Sequence, residues 1–193
     1  MRQAERGERT VLFVDAAHFV FGPFLGYLWC LVRLLVPGPS GRKRYNVIAA
    51  PNAVTHAVIR VANHSYINAE SVCALLRQIA AAGLPRPITV VLDNARYQRC
   101  ELVQSLARSL PIELLFLPSY SPNLNLIERL WKFLKKECLA SRPLPDYETF
   151  TQTIDTRLDQ LQTKYKEQMK TLLTLNFQTY DDEPVLADRK SVV

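Results

Sequence analysis

The chain has few aspartates where its charge is concentrated, no paired cysteines and no long apolar run, and each shortage removes a class of protein. Cys30, Cys73, Cys100 and Cys138 stand far apart, with no CxxC pair and no histidine at zinc-site spacing. That excludes a zinc module and a disulfide framework, and predicts reduced core thiols in a cytosolic protein. The uncharged stretch from Phe19 to Val32 is 14 residues, is interrupted by Gly22-Pro23 and Gly26, and is flanked by Asp15, His18 and Arg33. It is too short to span a bilayer. Met1 to Arg9 is charged, with no small-residue cleavage site before the strand-like run that follows, so no export signal is expected. Internal repeats and low-complexity segments are missing as well. What is left at 193 residues is one ordinary folded domain with a substantial core.

Residues 1–145 hold only two aspartates, Asp15 and Asp93, and carry 18 basic against 9 acidic side chains, while residues 146–193 carry 6 against 9. The positive charge is therefore in the first part, which suits a polyanionic partner. A generally basic soluble protein would show the same net charge. We expect a division into residues 1–145 and a C-terminal amphipathic segment with a frayed tail, 146–193.

Val11–Val14 reads as a buried strand whose end is Asp15, and Tyr27–Val36 as a second strand-like segment. A basic loop, Ser40–Arg44, follows. Tyr45–Ala50 and Val54–Val61 flank the turn Pro51-Asn52-Ala53 and predict an antiparallel hairpin. Asn68–Ala82 has helical periodicity through Val72, Leu75, Leu76 and Ile79, with Asn68 as N-cap and Gly83 beyond its end. Ile88–Leu92 is the most buried-looking strand. Arg96–Arg108 reads as a helix with Leu102, Val103 and Leu106 inward, and Ile112–Leu117 as a strand; alternating strand and helix implies parallel pairing. Asn125–Leu139 is a helix in which Asn125 and Glu128 match a capping box. Tyr147–Asn176, apolar at Phe150, Ile154, Leu158, Leu161, Tyr165, Met169 and Leu172, predicts one long terminal helix.

Three carboxylates stand where hydrophobic elements end or turn polar: Asp15, Asp93 after Ile88–Leu92, and Glu128 in the helix after Ser121-Pro122-Asn123. A strand-end Asp taken alone is most simply a turn or cap residue. The element order, however, is that of a ribonuclease-H-like α/β fold: a mixed central sheet flanked by helices, here with a C-terminal amphipathic helix. Such a fold brings the three carboxylates together, and oxygen ligands of this kind suit hard divalent metals and phosphate chemistry.

Val91-Leu92-Asp93-Asn94-Ala95, and then the run from Leu117 through Ser121-Pro122-Asn123-Leu124-Asn125-Leu126-Ile127-Glu128-Arg129-Leu130-Trp131 to Lys132 and Lys135, resemble the DDE endonuclease domain of mariner-related bacterial insertion-sequence transposases. The 34 residues between Asp93 and Glu128 match that group's spacing, and the resemblance runs from about Val11 to Leu139. The chain departs from the pattern at Ala16, where Glu is common, at Gln98, where His is common, and at Leu126, where Pro is common. The triad is intact.

The resemblance implies a catalytic domain that cleaves DNA at transposon ends and transfers the strand into target DNA. It also implies two Mg²⁺ or Mn²⁺ ions, with Asp15 as bridging ligand and Asp93 and Glu128 each completing one shell. Two metals of this kind stabilise the attacking and leaving oxygens of an in-line displacement. Lys132 and Lys135 share the Glu128 stripe of the helix to within about 40°, and are either phosphate contacts or a surface ion-pair row. Arg129 belongs with them as a DNA-binding candidate. Arg42, Lys43 and Arg44 either clamp the DNA backbone or are a solvated loop. Asn94 either holds substrate or is a turn residue. Trp131 reads as core, and His18, His56 and His64 as structural groups or polar neighbours of the site.

The expected partners are double-stranded DNA, a second copy of the chain, and a helix-turn-helix subunit or frameshift-fused upstream domain, since only 14 residues precede Asp15. The expected location is the bacterial cytoplasm, at the nucleoid. Two rival readings are a stand-alone ribonuclease-H-like nuclease, disfavoured by the long Ser-Pro…Glu-Arg-Leu-Trp motif, and a catalytically silent DNA-binding remnant, disfavoured by the intact triad.

Overall fold

The apolar runs at Val11–Val14 and Ile88–Leu92 are buried on both faces, as parallel strands covered by helices on both sides must be. They lie in β1 (Thr10–Phe21) and β4 (Ile88–Leu92), which pair in parallel from Thr10–Ile88 to Val14–Leu92. β4 pairs in parallel with β5 (Ile112–Phe116). On the other side β1 pairs antiparallel with β2 (Lys43–Pro51), and β2 with β3 (Val58–Asn63), so the expected hairpin is present. The sheet order is β3-β2-β1-β4-β5. This is a computed structural model, and it describes residues 2–22, 43–118, 124–139 and 144–174. The strand-like segment 27–36, Arg42, the motif residues 119–123 and the tail from 181 lie outside the described residues.

β1 does not end at Asp15. It runs on to Phe21, with Ala17, Phe19 and Phe21 buried and His18 and Val20 exposed, the alternation of a strand with one covered face. Asp15 is where β1 changes company: the ladder with β4 stops at Val14 and the continuous ladder with β2 starts at Asp15. Lys43 and Arg44 likewise belong to β2 and not to a loop. The hairpin turn is longer than Pro51-Asn52-Ala53 because the Asn52 side chain accepts the N–H groups of Val54 and Thr55, an Asx turn that delays β3 to Val58.

Helix α1 is a single N-terminal turn, Arg2–Glu5. Helix α2 (Ala69–Ala81) has a reciprocal capping box between Asn68 and Ser71 and stops ahead of Gly83, at φ +64, the left-handed position glycine adopts without strain. Helix α3 (Glu101–Ser109) starts five residues later than the periodicity suggests, since residues 95–100 form turns. Val103 and Ala107 take the inward stripe, and Leu102 is 54% exposed, against expectation. Both helices cover one face of the sheet through an almost purely aliphatic core.

The opposite face is covered by α4 (Ile127–Leu139) and by the C-terminal segment. That segment is not one helix: α5 (Tyr147–Asp159) passes through a 3-10 turn, Gln160–Gln162, into α6 (Lys166–Leu172). A continuous 30-residue helix would be about 45 Å long, against about 20 Å for α4 beneath it. The turn, with Leu161 fully buried, brings Tyr165 and Met169 back over the same core. Tyr45 donates to Asp155 (2.7 Å) and Arg60 pairs with Asp159 (2.8 Å), so the acidic end of the chain is tied to β2 and β3.

Candidate active site

The change of partner at Asp15 leaves the far half of β1 with an edge that β4 does not cover, and a cleft opens there. Its volume is about 460 Å³, and Asp15, Ala16, Ala17, His18, Glu128, Trp131, Lys132 and Lys135 line it. Asp15 shares the face of β1 that carries Phe13 and Ala17, toward α4, and the Trp131 indole Nε1–H donates to its Oδ2 at 3.1 Å. Trp131 is held edge-on by Phe19, with centroids 6.2 Å apart. Asp93 follows the last residue of β4, and the buried Asn125 amide donates to its Oδ1 at 2.9 Å and toward the Val14 carbonyl at 3.4 Å. Glu128 is in the first turn of α4 and is exposed.

The expected capping box at Asn125 is therefore replaced by something more useful. Its amide reaches across to β1 and Asp93, its oxygen accepts from the Ile127 N–H, and the Glu128 N–H turns to the Asn125 backbone carbonyl.

Charge crowding marks the site. Burial, with the Asp93 and Glu128 charges adding to it, pushes the Asp15 carboxyl up to about 6, against the opposing hydrogen bonds of the Ala16 N–H and Trp131. Burial and the Asp93 charge also raise Glu128. Burial, then Asp15 and Asp93, raise the Tyr97 phenol on the loop after β4. The three carboxylates thus feel one another, and among the described residues none of them has an ion-paired Lys or Arg. Also among the described residues, no three His, Cys, Asp or Glu side chains are gathered closely enough to enclose an ion. The donor set nevertheless fits a hard divalent cation: it is all carboxylate oxygen, half-buried at Asp15 and Asp93, with like charges that a cation would relieve.

The DNA-binding candidates separate. Lys132 and Lys135 are exposed and line the cleft beside Glu128. Arg129 does not join them, because its guanidinium donates to the Leu172 and Thr174 carbonyls and ties α4 to the end of α6. Asn94 accepts from Arg99 Nη1 at 2.8 Å, so its side-chain oxygen is engaged on its own loop. Lys43 lies over the Tyr147 ring, 5.3 Å from its centroid. Both Lys43 and its neighbour Arg44, whose carbonyl accepts from the Tyr147 hydroxyl, sit near the far end of β1, opposite Phe21 and Val20. That is about 20 Å along the strand from Asp15. The contacts of Trp131 and Asn125 with the carboxylates were not legible, since the pattern marks them only as apolar or capping positions.

The strand order and the helices on both faces of the sheet define a ribonuclease-H-like domain. A family profile described as DDE superfamily endonuclease matches residues 10–151, and the chain belongs to that family. It is 28% identical over 132 residues to the insertion element IS630 uncharacterized 39 kDa protein of Shigella sonnei, covering 66% of this chain and 38% of that protein. The fold is similar to the Mos1 transposase in a pre-cleavage transpososome, with a TM-score of 0.63 at 12% identity over 93% of this chain and 59% of that one. It is also similar to the HTLV-2 integrase catalytic core in complex with magnesium, with a TM-score of 0.51 at 16% identity over 81% and 87%. The chain thus spans less than two fifths of the curated relative and about three fifths of the Mos1 chain. Among the described residues no helix is long and apolar enough to cross a membrane.

Proposed function

We propose that this chain carries the catalytic domain of an insertion-sequence transposase, hydrolysing DNA at element ends and joining the released 3′-hydroxyl to target DNA. The observation that carries the reading is that Asp15 and Glu128 line one cleft, with Asp93, at the end of β4, within electrostatic reach of both. Asp15, Asp93 and Glu128 would hold two Mg²⁺ or Mn²⁺ ions, which supply Lewis-acid stabilisation of the attacking and departing oxygens. The chain's own part is to orient. Trp131 fixes one Asp15 oxygen, and Asn125 fixes Asp93 against the end of β1. Lys132 and Lys135 offer cations to the phosphates that flank Glu128. Arg42, Lys43 and Arg44 remain proposals for backbone contact further along the duplex.

In this reading residues 1–145 are the catalytic unit and the segment from 146 buttresses α4. The working enzyme pairs with a second copy, takes its end recognition from a helix-turn-helix partner or fused domain, and acts at the nucleoid.

The test is metal-dependent nicking of a labelled duplex by the wild-type chain and by Asp15→Asn, Asp93→Asn and Glu128→Gln. Each variant is expected to lose activity with its fold intact, and activity retained by one of them removes that residue from the site. A silent DNA-binding relative is the second reading, favoured by the carboxylates not being gathered into a ligand cage. Duplex binding without nicking in Mg²⁺ or Mn²⁺ would establish it.

A further inference from the structure

His18 is exposed and lines the same cleft as Asp15, Glu128, Lys132 and Lys135, yet its ring is anchored from behind as few surface histidines are. Its Nδ1 lies 2.6 Å from Asn46 Oδ1, and Asn46 is 1% exposed. The orientation of the Asn46 amide follows from its partners. Its Nδ2 donates to the Ser65 carbonyl at 3.0 Å, an unambiguous acceptor, and to Asn63 Oδ1 at 3.1 Å. Asn63 is fixed in turn, since its Nδ2 donates to the Tyr66 carbonyl at 3.0 Å and toward the Ser71 hydroxyl of the α2 capping box. Asn46 Oδ1 must therefore be the atom facing His18, and the histidine Nδ1 must carry a hydrogen. Nε2 is left as the ring atom with a variable role, and it has no partner among the described residues.

We propose that His18 is a DNA-contacting residue of this site, its Nε2–H donating to a phosphate oxygen of the strand laid across Asp15, Asp93 and Glu128, with Asn46 and Asn63 as positioning residues. The proposal rests on the DNA-cleaving reading above. A phosphate oxygen only accepts, and Nδ1 is already a donor to Asn46, so the DNA-bound ring carries both hydrogens and one positive charge. It then adds a cation on the α2 side of the β1 edge, on the lining of the cleft that also carries Lys132 and Lys135. The relay through Asn46 and Asn63 resembles the way buried partners set the tautomer of a working histidine.

The experiment is ¹⁵N NMR of the histidine rings in the full chain, with His18→Gln assigning the His18 signals among the three histidines. Spectra are recorded free and with saturating duplex in a chelator, so that no cleavage occurs, and fluorescence anisotropy reports binding. The expected result is the Nδ1–H tautomer in the free chain and a protonated Nε2 in the complex. The slope of log affinity against log salt should fall by about one unit in His18→Gln. Asn46→Ala should weaken binding, but the double variant Asn46→Ala/His18→Gln should bind no worse than His18→Gln alone, as required if Asn46 acts through the ring. An Nε2–H tautomer in the free chain, or unchanged His18 signals while anisotropy shows saturation, overturns the proposal and leaves the functional reading standing. No duplex binding at all overturns both. A responding His18 in a chain that never nicks sustains the proposal and sinks only the catalytic claim.

Discussion

The two faces of the central sheet are both buried and are built differently. Under α2 and α3 the core is Leu, Ile and Val with little else, and the polar groups sit at its margin, in the α2 capping box and the Asn46–Asn63 pair. Under α4 the same sheet meets Trp131 and Asn125, two buried side chains whose N–H groups are spent on the carboxylates. Apolar contact stabilises both faces. Only the α4 face directs its buried residues to the carboxylates, at Asp15 and Asp93. In the proposed reading stability and function are carried by different residues within one small domain, and substitution should separate them.

The sharpest separation sets Asp93→Asn against Leu76→Ala. The first should remove nicking while leaving the unfolding midpoint nearly unchanged. The second deletes a fully buried side chain of the α2 face and should cost about 2–5 kcal/mol, read by urea denaturation, with residual activity at low denaturant. If Leu76→Ala abolished nicking in a folded chain, the two faces would not be independent.

A second outcome concerns pH. The Asp15 carboxyl sits at about 6 in the folded chain against an ordinary 3.8, so the folded state holds the proton more tightly than the unfolded one. The resulting stability is fully present below the ordinary value and is lost as pH rises through about 6. The loss should be on the order of 1–3 kcal/mol in the metal-free chain. Asp15→Asn should flatten that dependence, and Mn²⁺ should raise the wild-type melting temperature more at pH 7.5 than at pH 5. A metal shift independent of pH would place the ion elsewhere.

Trp131→Phe keeps most of the ring packing against Phe19 and loses the donor to Asp15. Nicking should fall about 10–100-fold, the range for loss of a ligand-orienting partner. A calorimetric scan should show a far smaller effect than Leu76→Ala, and a large melting shift with unchanged activity would return Trp131 to a purely packing role. The smallest effect belongs to the other face: Asn68→Ala removes the α2 cap and should cost about 1 kcal/mol with nicking intact. Loss of activity there would tie the cap to the site through Ser71, Asn63 and Asn46.

Much of the architecture was legible because hydrophobic periodicity reports burial directly. The strand Ile88–Leu92 came out at its observed bounds, α2 within a residue of them, and the hairpin and parallel pairs followed from pattern and order. The boundaries that failed were set by side-chain hydrogen bonds, as with the Asn52 turn, or by the extent of the surface to be covered, as with the 3-10 turn between α5 and α6. The three carboxylates could be singled out because aspartate is rare in residues 1–145 and each acid sits where an apolar pattern breaks. What tertiary structure alone decided is which groups meet them. Trp131 reaches Asp15 across 116 positions, Asn125 reaches Val14 across 111, and Arg129 turns away to α6. A sequence pattern records whether a side chain is buried, but the partner of a hydrogen bond between distant elements is settled only when strand register and helix docking bring donor and acceptor within 3 Å or so.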